Sequence, residues 1–306
     1  MSNTKPFLSI EKQIELLRSR ELVITDEQYD KAKDFLLNNN YYRVSGYTLT
    51  MRHNDTFTEN ASLDKLIQIY EADKRMRQTI LSVIEVIEVR LKSMLAYYHC
   101  EKYGPTGYLD INTFNCMDRN RINIHTVDNY LYITRKAASQ KNAMTDSEPF
   151  IKHHKENKKD ILPFWVYVEI LTLSDISKLY SILDYVTQKK IAFQLGFRHS
   201  NGHEILENLL HCVTILRNIS AHGGRLYNRL FTRKPRLSRR EKSFLLTTED
   251  GHIINDRLFS YILVLKSLSP SNDFQLVREH LILINENYPL IDFFQYGFPE
   301  NWKEIL

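Results

Sequence analysis

Between Ser62 and Tyr103 the apolar residues return at three- and four-residue steps: Leu63, Leu66, Ile67, Tyr70, Ile80, Ile84, Ile87, Leu91, Met94 and Tyr98. That is the period of a helix, not of a strand. Around Val83 to Val89 the apolar positions reach round the whole cylinder, which marks its most buried turns. Gly104-Pro105 stops the run. A helix this long with a buried middle commits the chain to a helical core. Nine Gly and eight Pro in 306 residues argue the same way, since a sandwich or barrel built on tight turns needs more of both.

The rest of the chain repeats the period. Ser9 opens a helix with Ile10, Ile14, Leu16 and Leu17 on its apolar side. Thr25 is the expected N-cap of a second, with Asp26 and Glu27 in its first turn and Tyr29, Ala32, Phe35 and Leu36 on one face. Asn38-Asn39-Asn40 ends it, and a compact aromatic segment, Tyr41 to Tyr47, follows. An amphipathic helix is expected around Ile122 to Ala138, then a charged loop with Lys152, Lys155, Lys158 and Lys159. Pro163 to Tyr185 reads as one or two buried helices. His203 to His222 reads as another, closed by Gly223-Gly224, and Asp256 to Leu268 and Asn272 to Asn287 as two more. The expected class is all-α with a bundle core.

Composition narrows the function. No apolar run approaches the roughly 18 residues that span a bilayer, and Met1 to Leu8 lacks the apolar stretch of a signal peptide. Membrane partners are therefore not expected. Cys100, Cys116 and Cys212 are too few and too scattered for a disulfide framework or zinc knuckle, so a reduced cytoplasmic setting without metal or cofactor is expected. The charge is uneven. Arg225, Arg229, Arg233, Lys234, Arg236, Arg239, Arg240 and Lys242 face only Glu241 in their stretch, giving +7 where the whole chain carries +4. A basic block is most often a solvated surface, and it is also the footprint of a nucleic-acid partner.

What precedes that block selects between the two. Arg217, Asn218 and His222 lie within six residues. On a helix Asn218 and His222 share a face, and His222 falls in the last turn, near the negative pole, where an imidazole can donate as well as accept a proton. Cleavage of RNA by its 2′-hydroxyl needs a base, an acid and a cation for the phosphorane. Arg217 as the cation, Asn218 as orienter and His222 as acid/base meet part of that need, and a second His from a dimer partner completes it. Against this, Arg217 can equally bond helix-end carbonyls and His222 can equally cap the helix. Glu85 and Glu88 are possible supporting carboxylates, although Glu88 can pair with Lys92 one turn on. His199 and His203 have the spacing of a metal pair, but Ser200, Asn201 and Gly202 between them suggest a turn. His99-Cys100 and His211-Cys212 read as core or boundary residues. Tyr41, Tyr42 and Tyr47 with Arg43 suit base stacking, and more often such a cluster is packing. The lysines from Lys152 to Lys159 read as a solvated face.

Leu216-Arg217-Asn218-Ile219-Ser220-Ala221-His222, followed by Gly223-Gly224-Arg225-Leu226-Tyr227-Asn228-Arg229, resembles the signature of the Abi proteins of the AbiD/AbiF type, bacterial abortive-infection factors against phage. Lys5-Pro6 with Ser9 and Gln13, Asn40 to Tyr47, and Pro163-Phe164-Trp165 with Glu169 match in the same order. Gly223 stands where relatives often carry a second His, and Tyr227 where they often carry Trp. The resemblance implies a HEPN-like helical bundle with an N-terminal helical extension and short C-terminal helices. It divides the chain into an N-terminal helical region at 1–60, a HEPN-like core at 61–230, and a basic segment with C-terminal helices at 231–306. It further implies a metal-independent endoribonuclease toxin with Arg217, Asn218 and His222 as its catalytic set. The implied partners are RNA, as substrate and as a restraining small RNA, and a second copy of the chain in a homodimer or higher homo-oligomer. A non-catalytic binder of structured RNA, and a helical interaction protein with a merely basic surface, remain the alternatives.

Overall fold

The structure, a computed structural model, describes residues 6–118, 121–145, 147–157 and 160–306. Lys5, Lys158 and Lys159 lie outside the described residues. The fold is all-α, with two short hairpins among the described residues. Helix α1 (Ile10–Ser19) starts where the Ser9 side chain accepts the Lys12 N–H and buries Ile14 and Leu17. Helix α2 (Tyr29–Asn39) begins three residues later than a Thr25 cap requires. The reason is local: the Gln28 side chain accepts the Thr25 N–H, closing a turn before the helix, and its amide donates to Asp64 at 2.7 Å. Asn40 adopts a left-handed φ of 48°, ends α2, and caps α3 (Tyr41–Ser45) by accepting the Tyr42 N–H.

A hairpin, β1 (Arg52–His53) against β2 (Thr56–Phe57), leads into the long helix α4 (Leu63–Tyr103). Ser62 caps it by accepting from the Lys65 N–H, and Val23 exchanges backbone bonds with Ala61 and Leu63 beside its first turn. A second hairpin, β3 (Met117–Asp118) against β4 (Arg121–Ile122), precedes α5 (Ile124–Met144), which Asn123 caps. The segment expected as a charged loop is helical instead: α6 spans Pro149–Asn157, anchored by buried Ile151. Then come α7 (Phe164–Tyr167), α8 (Leu173–Ile182), α9 (Tyr185–Gln194) and α10 (Gly202–Ala221). The expected single or double helix ending at Tyr185 stops at Ile182, because Asp184 caps a new helix by accepting from Val186 and Thr187. Last are α11 (Arg239–Lys242), α12 (Leu258–Leu268), α13 (Ser271–Asn287) and α14 (Trp302–Ile305).

Helix α4 is the axis of the molecule. Helices α10, α13, α8 and α9 pack along it, and its buried positions from Leu63 to Leu95 belong to one continuous core that also takes in Tyr47, Leu216 and Trp302. The N-terminal part of α4 holds a buried polar node. Asp73, fully excluded from solvent, accepts from the hydroxyls of Tyr47 (2.7 Å) and Tyr296 (3.0 Å), from the backbone of Leu226 and Tyr227, and from Arg77. Burial is the main influence on this carboxyl and pushes it up. Every group that touches it is a donor, however, and that is the surrounding of an ionised carboxylate. The node joins the segment before α4, α4 itself, the loop after α10 and the C-terminal segment.

Candidate active site

The residues Arg217 to His222 lie at the C-terminal end of α10, whose buried side (Leu209, Leu210, Val213, Leu216) holds it against the core. His222 is the C-cap. Gly223, at φ 65°, takes the left-handed position, with its N–H bonded to the Ser220 carbonyl and the Gly224 N–H bonded to the Ile219 carbonyl at 2.7 Å. This pair of bonds is a Schellman motif. It fixes the backbone at His222 while leaving the imidazole in solvent. Asn218 is exposed on the same face one turn earlier, and half-buried Arg217 donates to the Asn218 Oδ1 at 3.4 Å. The structure thus brings Arg217 and Asn218 together. No side-chain hydrogen bond from either to His222 occurs among the described residues.

The carbonyl just past the helix end is held by a different cation. Arg43, on α3, donates to the Gly223 carbonyl. Its guanidinium is so close that a Cβ on Gly223 would meet Arg43 Nη1 at 3.0 Å. The sequence did not single out Arg43 for this place, 180 residues from its partner; only the Asn40 turn that aims α3 at the helix end hints at it. The other aromatics of that segment divide. Tyr47 is core, Tyr41 is partly buried against it, and Tyr42 is 88% exposed.

The basic stretch is not one surface. Arg225 turns inward to donate to the Tyr227 carbonyl, and burial lowers its pKa. Arg229 is half-buried and donates to the Arg225 carbonyl at 3.1 Å. Asn228, at φ 49°, accepts from Arg257. With the Leu226 and Tyr227 backbone held by Asp73, these bonds make the loop after His222 rigid. From Arg233 on, the cations are exposed: Arg233, Lys234, Arg236, Arg239, Arg240 and Lys242. Lys234 pairs with Asp256 at 3.2 Å and Arg236 with Glu204 at 3.4 Å, while α11 carries the last three.

The remaining candidates find their places. Glu88 pairs with Lys92 at 3.2 Å, and Lys92 also reaches Glu169 at 3.8 Å, whereas Glu85 is exposed. His199 lies in the bend before α10 and His203 in its first turn, with its ring edge-on to Tyr185, so the two do not share a helix. His99 is fully buried among Tyr103, Phe114 and Phe164, and both its ring nitrogens lack partners among the described residues. Burial pushes its pKa down to about 4. Cys212 is buried, while His211 beside it faces outward.

A family model described as Abi-like protein matches residues 34–228. The chain belongs to the Abi-like family. The match starts within α2, takes in Arg43, Asp73 and the whole of α4, and ends at Asn228, just past the Schellman turn. The exposed cations from Arg233 onward lie beyond it. None of the curated proteins and none of the solved structures matches the chain. Membership supports a role in abortive infection, resistance to phage. No helix among the described residues is long and apolar enough to cross a membrane.

Proposed function

We propose that this Abi-like protein acts in abortive infection as a HEPN-type, metal-independent endoribonuclease. The observation that carries the reading is an exposed imidazole on a fixed helix end, one turn from an amide in contact with a half-buried guanidinium. In the reaction the 2′-oxygen attacks phosphorus and the 5′-oxygen leaves, giving a 2′,3′-cyclic phosphate and a 5′-hydroxyl. The 2′-hydroxyl proton goes to a base and the leaving oxygen receives a proton from an acid. His222 fills one of these roles and Arg217 neutralises the phosphorane, with Asn218 holding Arg217 in place. A second copy of the chain supplies the other proton carrier. Exposed Tyr42 and the cations from Arg233 to Lys242 give a flexible single strand a stacking surface and a charged track.

A second reading keeps the RNA and drops the cleavage. The separation of His222 from Arg217 in one chain favours it. The test is cleavage of a mixed RNA pool in EDTA by the wild type and by His222→Ala, both stripped of co-purified nucleic acid. Cyclic-phosphate products from the wild type alone support the ribonuclease. Equal RNA binding without cleavage by either protein leaves the binding module.

A further inference from the structure

The face of α10 that carries Asn218 continues toward its N-terminus. Two turns earlier it bears His211, and one turn before that Glu207. These three side chains form one wall of a cleft of about 380 Å³. Helix α5 adds His125, α8 adds Lys178, and the basic segment reaches across to add Arg233. Lys178 is steadied by the Tyr132 ring, whose centre is 3.6 Å from its Nζ. Neither Lys178 nor Arg233 is in an ion pair among the described residues. Hydroxyl and amide groups line the floor. Asn129 approaches the His125 ring at 3.1 Å and Ser181 at 3.4 Å, so three polar side chains form one connected set there.

The composition identifies the ligand. Two cationic side chains face one carboxylate, Glu207, and most of the remaining groups are hydroxyls, amides and imidazoles that can donate to an anion. That mixture suits a phosphate oxygen and offers little to an apolar ligand. Burial, and then the charge of Arg233, lower the pKa of His211, so the positive charge at this place belongs to Lys178 and Arg233.

Geometry decides which phosphate. His211 and His222 are eleven residues apart on one helix, about 16 Å along its axis. Acid and base must both come within hydrogen-bond reach of the same phosphodiester, so the cleft does not serve the bond that His222 serves. We propose that it binds another phosphate of the same single-stranded RNA, on a nucleotide displaced along α10 from the scissile bond. Lys178 and Arg233 are its cationic ligands, and Asn218 lies between the two positions. The proposal rests on the ribonuclease reading above and extends it from a single bond to a strand laid along α10.

The test measures binding of a short single-stranded RNA whose 2′-hydroxyls are methylated, so that it is not cut, across a salt series. Replacing both Lys178 and Arg233 with Ala should weaken binding about tenfold and flatten the slope of log affinity against log salt by roughly 0.7 for each phosphate no longer neutralised. Glu207→Gln touches neither cation and carries the test independently, since removing the carboxylate should tighten binding a few-fold. Wild-type affinity and slope in the folded double variant, or unchanged binding in Glu207→Gln, overturn the cleft and leave the ribonuclease reading standing. Failure of the wild type itself to bind RNA overturns both.

Discussion

His222 and His99 are two imidazoles in opposite surroundings, and each makes its own prediction. His222 is in solvent on a rigid helix end, where truncation should cost little stability and much chemistry. His222→Ala is expected to lower cleavage by at least about a hundredfold, the usual worth of a general acid or base, with a melting temperature close to wild type. Arg217→Ala should behave alike in cleavage. A variant that cuts RNA at the wild-type rate would remove His222 from the mechanism. His99 reverses the pattern. Its folded pKa of about 4 lies below the ordinary 6.5 because burial penalises the charged ring, ahead of the opposing influence of Asp184. The fold therefore holds the neutral form, and the unfolded chain takes up the proton first as pH falls. Stability from this residue is complete above pH 6.5 and is lost progressively down to about pH 4, by on the order of 3 kcal/mol at most. Urea midpoints of wild type and His99→Phe should diverge between pH 7 and 4.5, with the variant the less acid-sensitive. Parallel curves would show that the ring is not held neutral.

At the level of elements, the end of α10 depends on Gly223. A side chain there must adopt a left-handed φ, which costs about 1 kcal/mol, and its Cβ meets Arg43 at 3.0 Å. Gly223→Ala should therefore lower the unfolding free energy by at least that amount, read from a lower urea midpoint, and also displace Arg43, an effect that Arg43→Ala tests on its own. No loss in Gly223→Ala would mean that the turn readily finds another form. The sequence announced this turn, because paired glycines after a periodic run have few other uses. It announced α4 as well, through the apolar period, although Val89, expected among its most buried turns, is 61% exposed. Other boundaries were hidden by side-chain competition. Thr25 opens a turn that Gln28 closes by accepting its N–H, so the helix starts later than a Thr25 cap would place it, and Asp184 began a new helix inside a segment that reads as one buried run. The site was half legible for the same kind of reason. Arg217, Asn218 and His222 are close in sequence and so could be read from spacing. Arg43 and the cleft cations Lys178 and Arg233 come together only through packing of distant helices. Charge counting also overstated the basic track, since it could not tell that Arg225 turns inward to a carbonyl.

For the molecule as a whole, Asp73 is the point on which the regions converge. Its donors come from Tyr47 before α4, from Arg77 within it, from Leu226 and Tyr227 after α10, and from Tyr296 near the C-terminus. A carboxylate with no solvent exposure is stable only while these donors surround it, and they in turn have no water to fall back on. Asp73→Ala leaves the Arg77 guanidinium buried without its counter-charge, a loss of about 3–5 kcal/mol. Tyr296→Phe removes one donor among five and should cost about 1 kcal/mol. The order of the two effects follows from the chemistry and can be read from denaturant midpoints. Replacing both charged partners, Asp73→Leu with Arg77→Met, should recover part of the Asp73→Ala loss, because the orphaned charge is then gone. The recovered protein would still lack the acceptor that fixes the Leu226 and Tyr227 backbone, only four and five residues beyond His222. Its RNA cleavage should stay low even where its stability returns. Cleavage that returns in step with stability would mean that the loop behind His222 needs no anchor in α4.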